Sequence, residues 1–452
     1  MKIVCNKSFF KEKKYIFDIV FGQILSLDFS IEVSEQQPGY QLFLNNGTSI
    51  TIEDHFFELM SEGKYEFDGI LPEYLSYLES DFCDNSLPVL YGHDEVRESD
   101  EHIHIGSDLF GLSFFLLTGL NEFLDNTRDK HGRFPGKTSI SFKLGFLDRP
   151  VIDEYATMLK KMIQHLDSCY SFSDKSGKTV VTCDVDWPFN PRLKQIRHAV
   201  MGAAVELLKH KNVKAASGIA FDFVLSKLGF KREDKFLKSV YWIMEENEKL
   251  GNQVVFFFIP SNTSKLDTDY TLISGGLRDI IREIYERGHI VGTHPGYHTV
   301  DNQENFKTIV NTLSQAAEEA GIQIDEFHNR QHFLRWDIHS TAQILCKLGV
   351  DFDYTCGYPD VAGFKAGTAY RFTMFDLVSQ SPLQIKQVPL IAMESTVINS
   401  RYEGLGYSEE ALQRFKLLKS NALKYGGDFN LLWHNCHLIH EQDRKMYLDI
   451  IK

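Results

Sequence analysis

No Cys-x-x-Cys pair occurs in this chain, and its seven cysteines (Cys5, Cys83, Cys169, Cys183, Cys346, Cys356 and Cys436) are scattered. An odd, dispersed set argues against a disulfide framework and reads as reduced thiols, as in a cytoplasmic protein. A basic run is missing as well. With 48 Lys and Arg against 62 Asp and Glu, the formal net charge is −14. That balance argues against a partner recognised through a phosphate backbone, so no nucleic-acid partner is expected. No window reaches the roughly 18 apolar residues of a membrane span, and no integral membrane segment is expected. The opening MKIVCNKSFFKEKKYIFDIVF alternates short apolar runs with lysines. It lacks the continuous apolar stretch and small-residue cleavage site of a secretory signal. A cytoplasmic, soluble protein is the expectation.

What is present suits a globular protein: 43% hydrophobic and 24% charged residues are enough for a well-buried core. At 452 residues the chain is expected to hold two or three domains. The aromatic share is high, 13% with 35 Phe, which fits a large core or a ring-lined site equally. Residues 1–150 mix short strand-like pieces (YQLFLNN, TSITI) with acidic segments and an apolar helix candidate, DLFGLSFFLLTGLNEFLDN. They are expected to form an α+β domain, and no constellation of reactive groups stands out in it. The histidines of EHIHI alternate with isoleucines, as on a strand with two exposed imidazoles, a plainer reading than a metal site. Residues 151–176 read as a helix and a polar connector, SFSDKSGK.

From 177 to 452 the pattern changes. Apolar strand candidates (KTVVTCD, QVVFFFIP, GHIVGTH, DEFHNR, VDFDYT, IKQVPLIAM, FNLLWHN) alternate with amphipathic helices, several closing on glycine at 288, 321, 349 and 426. Such βα alternation predicts an α/β fold with a parallel sheet covered by helices, and about seven strands suit closure into a (β/α)7-type barrel. Reactive groups in such folds gather at the C-terminal strand ends.

The strand ends do carry ionisable residues. VVTCDVDWPF places Asp184 and Asp186 after an apolar run, on one side of an extended chain. Buried carboxylates are costly unless a metal or a hydrogen-bond network receives them. GTHPGYHT supplies His294 and His298, four apart across a Pro-Gly that opposes a helix; neutral imidazoles on a tight loop suit zinc. HNRQHFLRW supplies Arg330, His332 and Arg335, and LLWHN supplies His434. Each has a plainer alternative. Asp-x-Asp can cap a turn, surface histidine pairs are common in a chain with 17, Arg330 suits a structural ion pair and His434 a satisfied core histidine.

Taken in order, these motifs resemble the polysaccharide deacetylase family (carbohydrate esterase family 4), metal-dependent N-deacetylases with a distorted (β/α) barrel. TCDVDWP resembles the family's acidic pair with one residue inserted, HPGYH its His-x-x-x-His motif, RQHF its Arg-bearing motif, and LLWH its Leu-x-His motif with Trp433 before the histidine. Pro295 stands where the family has Ser or Thr, and His332 where proline is usual. The resemblance covers about residues 177–437. DKHGRFPGKTSISFKLGFLDRPVIDEYA further resembles the uncharacterised domain that precedes the deacetylase domain in a bacterial subgroup.

The resemblance implies that Asp186, His294 and His298 hold a divalent metal, zinc first among candidates. It implies Asp184 as general base, oriented by Arg330, and His434 as the acid that protonates the leaving amine. The base and ligand roles of Asp184 and Asp186 are exchangeable, and His332 is a further ligand or a substrate contact. Trp187, Tyr297, Tyr358 and Trp433 lie near the motifs and suit stacking on a sugar or packing in the core. The implied activity is removal of an N-acetyl or other acyl group from an amino sugar in a polysaccharide or glycoconjugate precursor. An amidohydrolase for a non-sugar C–N bond and a non-catalytic carbohydrate-binding protein are the alternatives. The N-terminal domain is left with three occupants to choose from: a carrier, a partner, or a second copy of the chain in a homo-oligomer.

Overall fold

The computed structural model describes residues 1–60, 65–67, 69–193, 195–208, 211–228, 233–268, 270, 272 and 274–452. It is a mixed α/β structure that divides into two compact units. Unit 1 comprises Met1–Val180, His298–Lys307 and Asp325–Leu431; unit 2 comprises Val181–Tyr297, Thr308–Ile324 and Leu432–Lys452.

The N-terminal part of unit 1 is built from β1 (Lys2–Cys5), β2 (Ser30–Val33), β3 (Tyr40–Phe43), β4 (Ser49–Ile52), the small antiparallel pair β5 (Ser76–Leu78) and β6 (Leu87–Val89), then β7 (Gly92–Glu98) and β8 (His102–Ser107). Six of these form a mixed sheet in the order β2-β1-β3-β4-β8-β7. Period-two alternation fixes its faces: Ile50, Ile52, Ile103 and Ile105 are buried, while His102 and His104 lie on the other face, half-buried rather than exposed. The predicted apolar helix is present in two pieces, Leu109–Leu117 and Leu120–Leu124, because Gly119 adopts a left-handed φ of 68°. Leu109–Leu117 is buried on all sides, as its composition requires. Its N-cap is Asp108, whose carboxylate accepts the N–H groups of Gly111 (2.7 Å), His55 (2.9 Å) and Phe56 (2.8 Å). A wholly buried ion pair, Lys13 with Asp54 at 2.6 Å, anchors the first helix to the end of β4.

The βα pattern after residue 177 is present in both units. Unit 2 carries β9 (Thr179–Val185, begun in unit 1), β10 (Val254–Phe258) and β11 (Ile290–Thr293), all parallel. Helix Ile196–Leu208 follows β9 in the chain; Lys194, Lys209 and His210 are outside the described residues. Helices Val213–Lys227 and Lys235–Glu248 follow it. Unit 1 carries β12 (His328–Asn329), β13 (Phe352–Asp353), β14 (Phe372–Asp376), β15 (Ser381–Gln387), β16 (Ala392–Met393) and most of β17 (Phe429–Leu432). β12, β13 and β15 are parallel neighbours, and β14 pairs antiparallel with β15.

Within unit 1 one apolar core joins residues 3–166 to residues 366–377. Phe375 of β14 packs its ring on Tyr15 (5.0 Å between centres) and Phe114 (5.4 Å), and the Tyr15 hydroxyl donates to the Thr373 carbonyl (2.9 Å). Helix Val151–Leu166 completes this core with nine apolar residues, and its Asp153 and Glu154 are buried as well. Its Asp153 carboxylate accepts the Thr368 hydroxyl and the Ala369 N–H. All seven cysteines are free. No helix among the described residues is long and apolar enough to cross a membrane.

Candidate active site

Three strand ends stand level in unit 2. Val185 pairs with Phe258, and Phe258 with Thr293, so Asp186 and His294 are each the first residue past a strand. The His294 N–H donates to the Phe258 carbonyl (2.6 Å), and the Trp433 N–H to the Thr182 carbonyl (3.0 Å), which carries His434 to the same end. β10 is buried along its whole length, so the ionisable groups collect at the end of the ladder: Asp184 pairs with Phe257 one residue before it closes, and Asp186 lies just past it.

Asp184 and Asp186 reach the same imidazole. His294 Nε2 is 3.5 Å from Asp184 Oδ2 and 3.6 Å from Asp186 Oδ1. The other Asp186 oxygen faces His434 Nε2 at 3.9 Å. Asp184 and His294 are 3% and 2% exposed, whereas Asp186 and His434 are 22% and 15% exposed. The cluster therefore has a closed inner end and an open outer one. A charge-assisted N–H to carboxylate bond is about 2.7–2.9 Å. Donor atoms sharing one tetrahedral zinc, with bonds of about 2.0–2.1 Å, stand roughly 3.3–3.4 Å apart. The observed spacings lie nearer the second value, and the donor types, carboxylate oxygen and imidazole nitrogen, suit a zinc-like ion.

Two residues that the sequence does not signal hold these strand ends. Asp267 accepts the Thr263 N–H (2.8 Å) and hydroxyl (2.9 Å), the Ser264 N–H (2.9 Å) and the Tyr297 N–H (2.8 Å). It thereby ties the loop after β10 to the turn after His294. A Cβ at Gly296 would lie 2.5 Å from Thr263 Oγ1 and 2.8 Å from Asp267 Oδ2, so glycine is required for that approach. The buried Tyr270 hydroxyl donates to the Val185 carbonyl (2.9 Å) and accepts the Ile259 N–H (2.6 Å), joining the ends of β9 and β10. Burial raises its phenol well above the ordinary tyrosine value, and the charges of Asp186 and Asp184 add to the rise.

Other predicted residues occupy varied surroundings. Trp187 is half-buried with its ring edge-on to His198 (5.8 Å). Tyr297 is half-buried, and Trp433 is wholly buried against Tyr447 (5.5 Å, 86° between rings), a core position. His298, Arg330, His332 and Tyr358 belong to unit 1. His298 is exposed on the turn Tyr297–Thr299. Arg330 is fully buried, its guanidinium 5.9 Å from the centre of the Tyr354 ring, and His332 is buried edge-on to Phe333 (4.6 Å). The loop they sit on is strained: Phe333 and Leu334 have φ of 62° and 54°, a conformation that costs about 1–3 kcal/mol per residue and clusters at functional sites. Arg133 Nη1 donates to the Phe333 carbonyl (2.9 Å), and Arg335 Nε to the His131 carbonyl (2.8 Å). The DKHGRF segment thus grips this loop. Tyr358 lines a cavity in unit 1 with Phe115, Trp336 and Lys365.

Residues 1–168 match the model of a family of unknown function, DUF7033. No curated protein matches the chain. Among solved structures, a protein named as a polysaccharide deacetylase from Mycobacterium smegmatis aligns at 15% identity, over 62% of this chain and 85% of its own, with a TM-score of 0.40. The chitin deacetylase of Colletotrichum lindemuthianum aligns at 14% identity, over 61% and 82%, with a TM-score of 0.30. PuuE allantoinase aligns at 11% identity, over 60% and 83%, with a TM-score of 0.36. Likeness at this level decides neither the fold nor the reaction, which rest on the strands and side chains themselves.

Proposed function

We propose that the chain is a divalent-metal-dependent hydrolase of C–N bonds that removes an N-acetyl or other acyl group from an amino sugar of a polysaccharide or glycoconjugate precursor. One observation carries the reading: two acids and two imidazoles from distant stretches of sequence converge within 3.5–3.9 Å at level strand ends. Asp186 and His294 are the ligands unit 2 offers to zinc, which when bound acidifies water and polarises an acyl carbonyl. His298 as a further ligand and Arg330 as orienter of the base rest on the motif resemblance alone. Asp184, the more buried acid, takes the proton of the attacking water on a carboxylate oxygen. His434 delivers a proton from Nε2 to the leaving nitrogen, a poor leaving group without one. Asp267 and Tyr270 hold the strand ends in register, so the proton-carrying groups need little rearrangement.

The test is acetate release by the full-length, zinc-supplemented protein from N-acetylated amino sugars, run beside linear and cyclic amides. Acetate is expected from the sugars. The Asp184→Asn protein is expected to keep its metal and lose activity by about 10²–10⁴-fold, the range for a general base. Cleavage of the amides alone would move the substrate to the non-sugar class. Full activity in Asp184→Asn, or a wild-type chain that binds no metal, overturns the reading.

A further inference from the structure

We propose a second metal site that shares no residue with the candidate active site: Glu53, His55 and His93 bind a divalent transition metal of the zinc type at the six-stranded sheet. One donor atom from each of the three lies within 4.8 Å of the others. His55 Nε2 is hydrogen-bonded to Glu53 Oε2 at 2.6 Å, closer than two ligands of one zinc stand, so these two atoms must part as the ion enters; the His93 ring stands edge-on to that of His55, with centres 5.1 Å apart. Two imidazoles and one carboxylate suit zinc and its neighbours, whereas calcium and magnesium take oxygen ligands.

The backbone beneath these side chains is pinned, as a metal site needs. Between Glu53 and His55 lies Asp54, locked in its buried ion pair with Lys13. The His55 N–H is held by Asp108. Gly92 has a φ of +87°, and a Cβ there would lie 2.9 Å from His55 Cδ2. Glycine is what lets the start of β7 bring His93 beside His55. The donors themselves remain reachable from solvent: Glu53 and His55 are 30% and 33% exposed and His93 is exposed, which leaves an ion a path in.

The second oxygen of Glu53 faces His104 Nε2 at 3.3 Å. That contact orients the carboxylate, the part an outer partner plays around a metal. His102, two residues earlier on β8, has both ring nitrogens engaged by the hydroxyls of Ser49 (3.0 Å) and Thr51 (2.8 Å). It lies on the same face but is not a ligand. The expectation of two exposed imidazoles in EHIHI is corrected accordingly: both are half-buried and partnered, and the ligands come from the neighbouring segments.

The experiment counts zinc by elemental analysis in the full-length chain, stripped with chelator, reloaded with Zn²⁺ and dialysed. It is run in the wild type and in an Asp186→Ala/His294→Ala background. His93→Ala is expected to lower the count by one ion per chain in both, and its exposed position spares the fold. His104→Ala should weaken binding about 10–100-fold, and His102→Ala should leave it unchanged. A background protein that retains one zinc and loses it with His93→Ala supports the site whether or not the chain is a hydrolase. No zinc in the background, or a count unmoved by His93→Ala, overturns the proposal.

Discussion

A glycine and two acids illustrate what single residues do here. Gly296 is the only residue type that lets the turn after His294 close on Asp267. Gly296→Ala should cost about 1–3 kcal/mol in urea unfolding, the usual penalty for overpacking. It should also lower kcat, because the displaced turn carries His294 with it. Asp153 supplies a pH signature. Burial pushes its carboxyl up to about 7 against the hydrogen bonds it accepts. In unfolded chain the value is about 3.9, so the folded form binds the extra proton between these limits. Its contribution is full below about pH 4 and is lost as pH rises through about 7. Unfolding at pH 5 and pH 8 should therefore show a difference, on the order of 2–3 kcal/mol, that Asp153→Asn abolishes. A wild type and variant with parallel pH profiles would refute this. Asp184, Asp186, His294 and His434 were legible in the sequence because each follows an apolar run, and strand ends collect what strand bodies reject. Asp267 and Tyr270 were not, since their partners are mostly backbone groups that every residue carries.

At the scale of elements, the ends of β9 and β10 are joined by one phenol. Tyr270→Phe strands the Ile259 N–H and the Val185 carbonyl, which should cost about 1–3 kcal/mol. A drop in kcat with unchanged metal content would mark Tyr270 as a positioning residue. An unchanged kcat would reduce it to a packing role. The Asp108 cap serves three N–H groups from two segments, so Asp108→Ala should destabilise by more than the roughly 1 kcal/mol of an ordinary cap. Chemical denaturation of the two proteins measures it directly. Strand existence was readable from apolar runs bounded by turn residues, yet β12 and β13 are only two residues long. Helix Val213–Lys227 gave no comparable signal. Val213, Phe221 and Val224 are more than half exposed, and Ala216 is its buried residue, so no apolar stripe marks it.

For the molecule as a whole, the sequence suggests one domain over 1–150 and another over 177–452, a division drawn from changes in composition. Packing follows other lines: residues 3–166 share their core with 366–377, and His131 and Arg133 grip the Phe333–Arg335 loop. Composition reports what a segment can bury and is silent on what buries it. A chain beginning at residue 169 should accordingly bind a hydrophobic dye and aggregate, since Phe375 would lose Tyr15 and Phe114. A monomeric, cooperatively unfolding 169–452 fragment would contradict this.

That shared core also sets a schedule for synthesis. Its last strand leaves the ribosome roughly 200 residues after the helix ending at Leu166, a delay of about 10–40 s at ordinary elongation rates. Throughout that interval the nascent sheet shows an unfinished greasy flank to its surroundings or to any neighbour on the same message. Chaperone escort during translation should therefore raise the yield of folded chain.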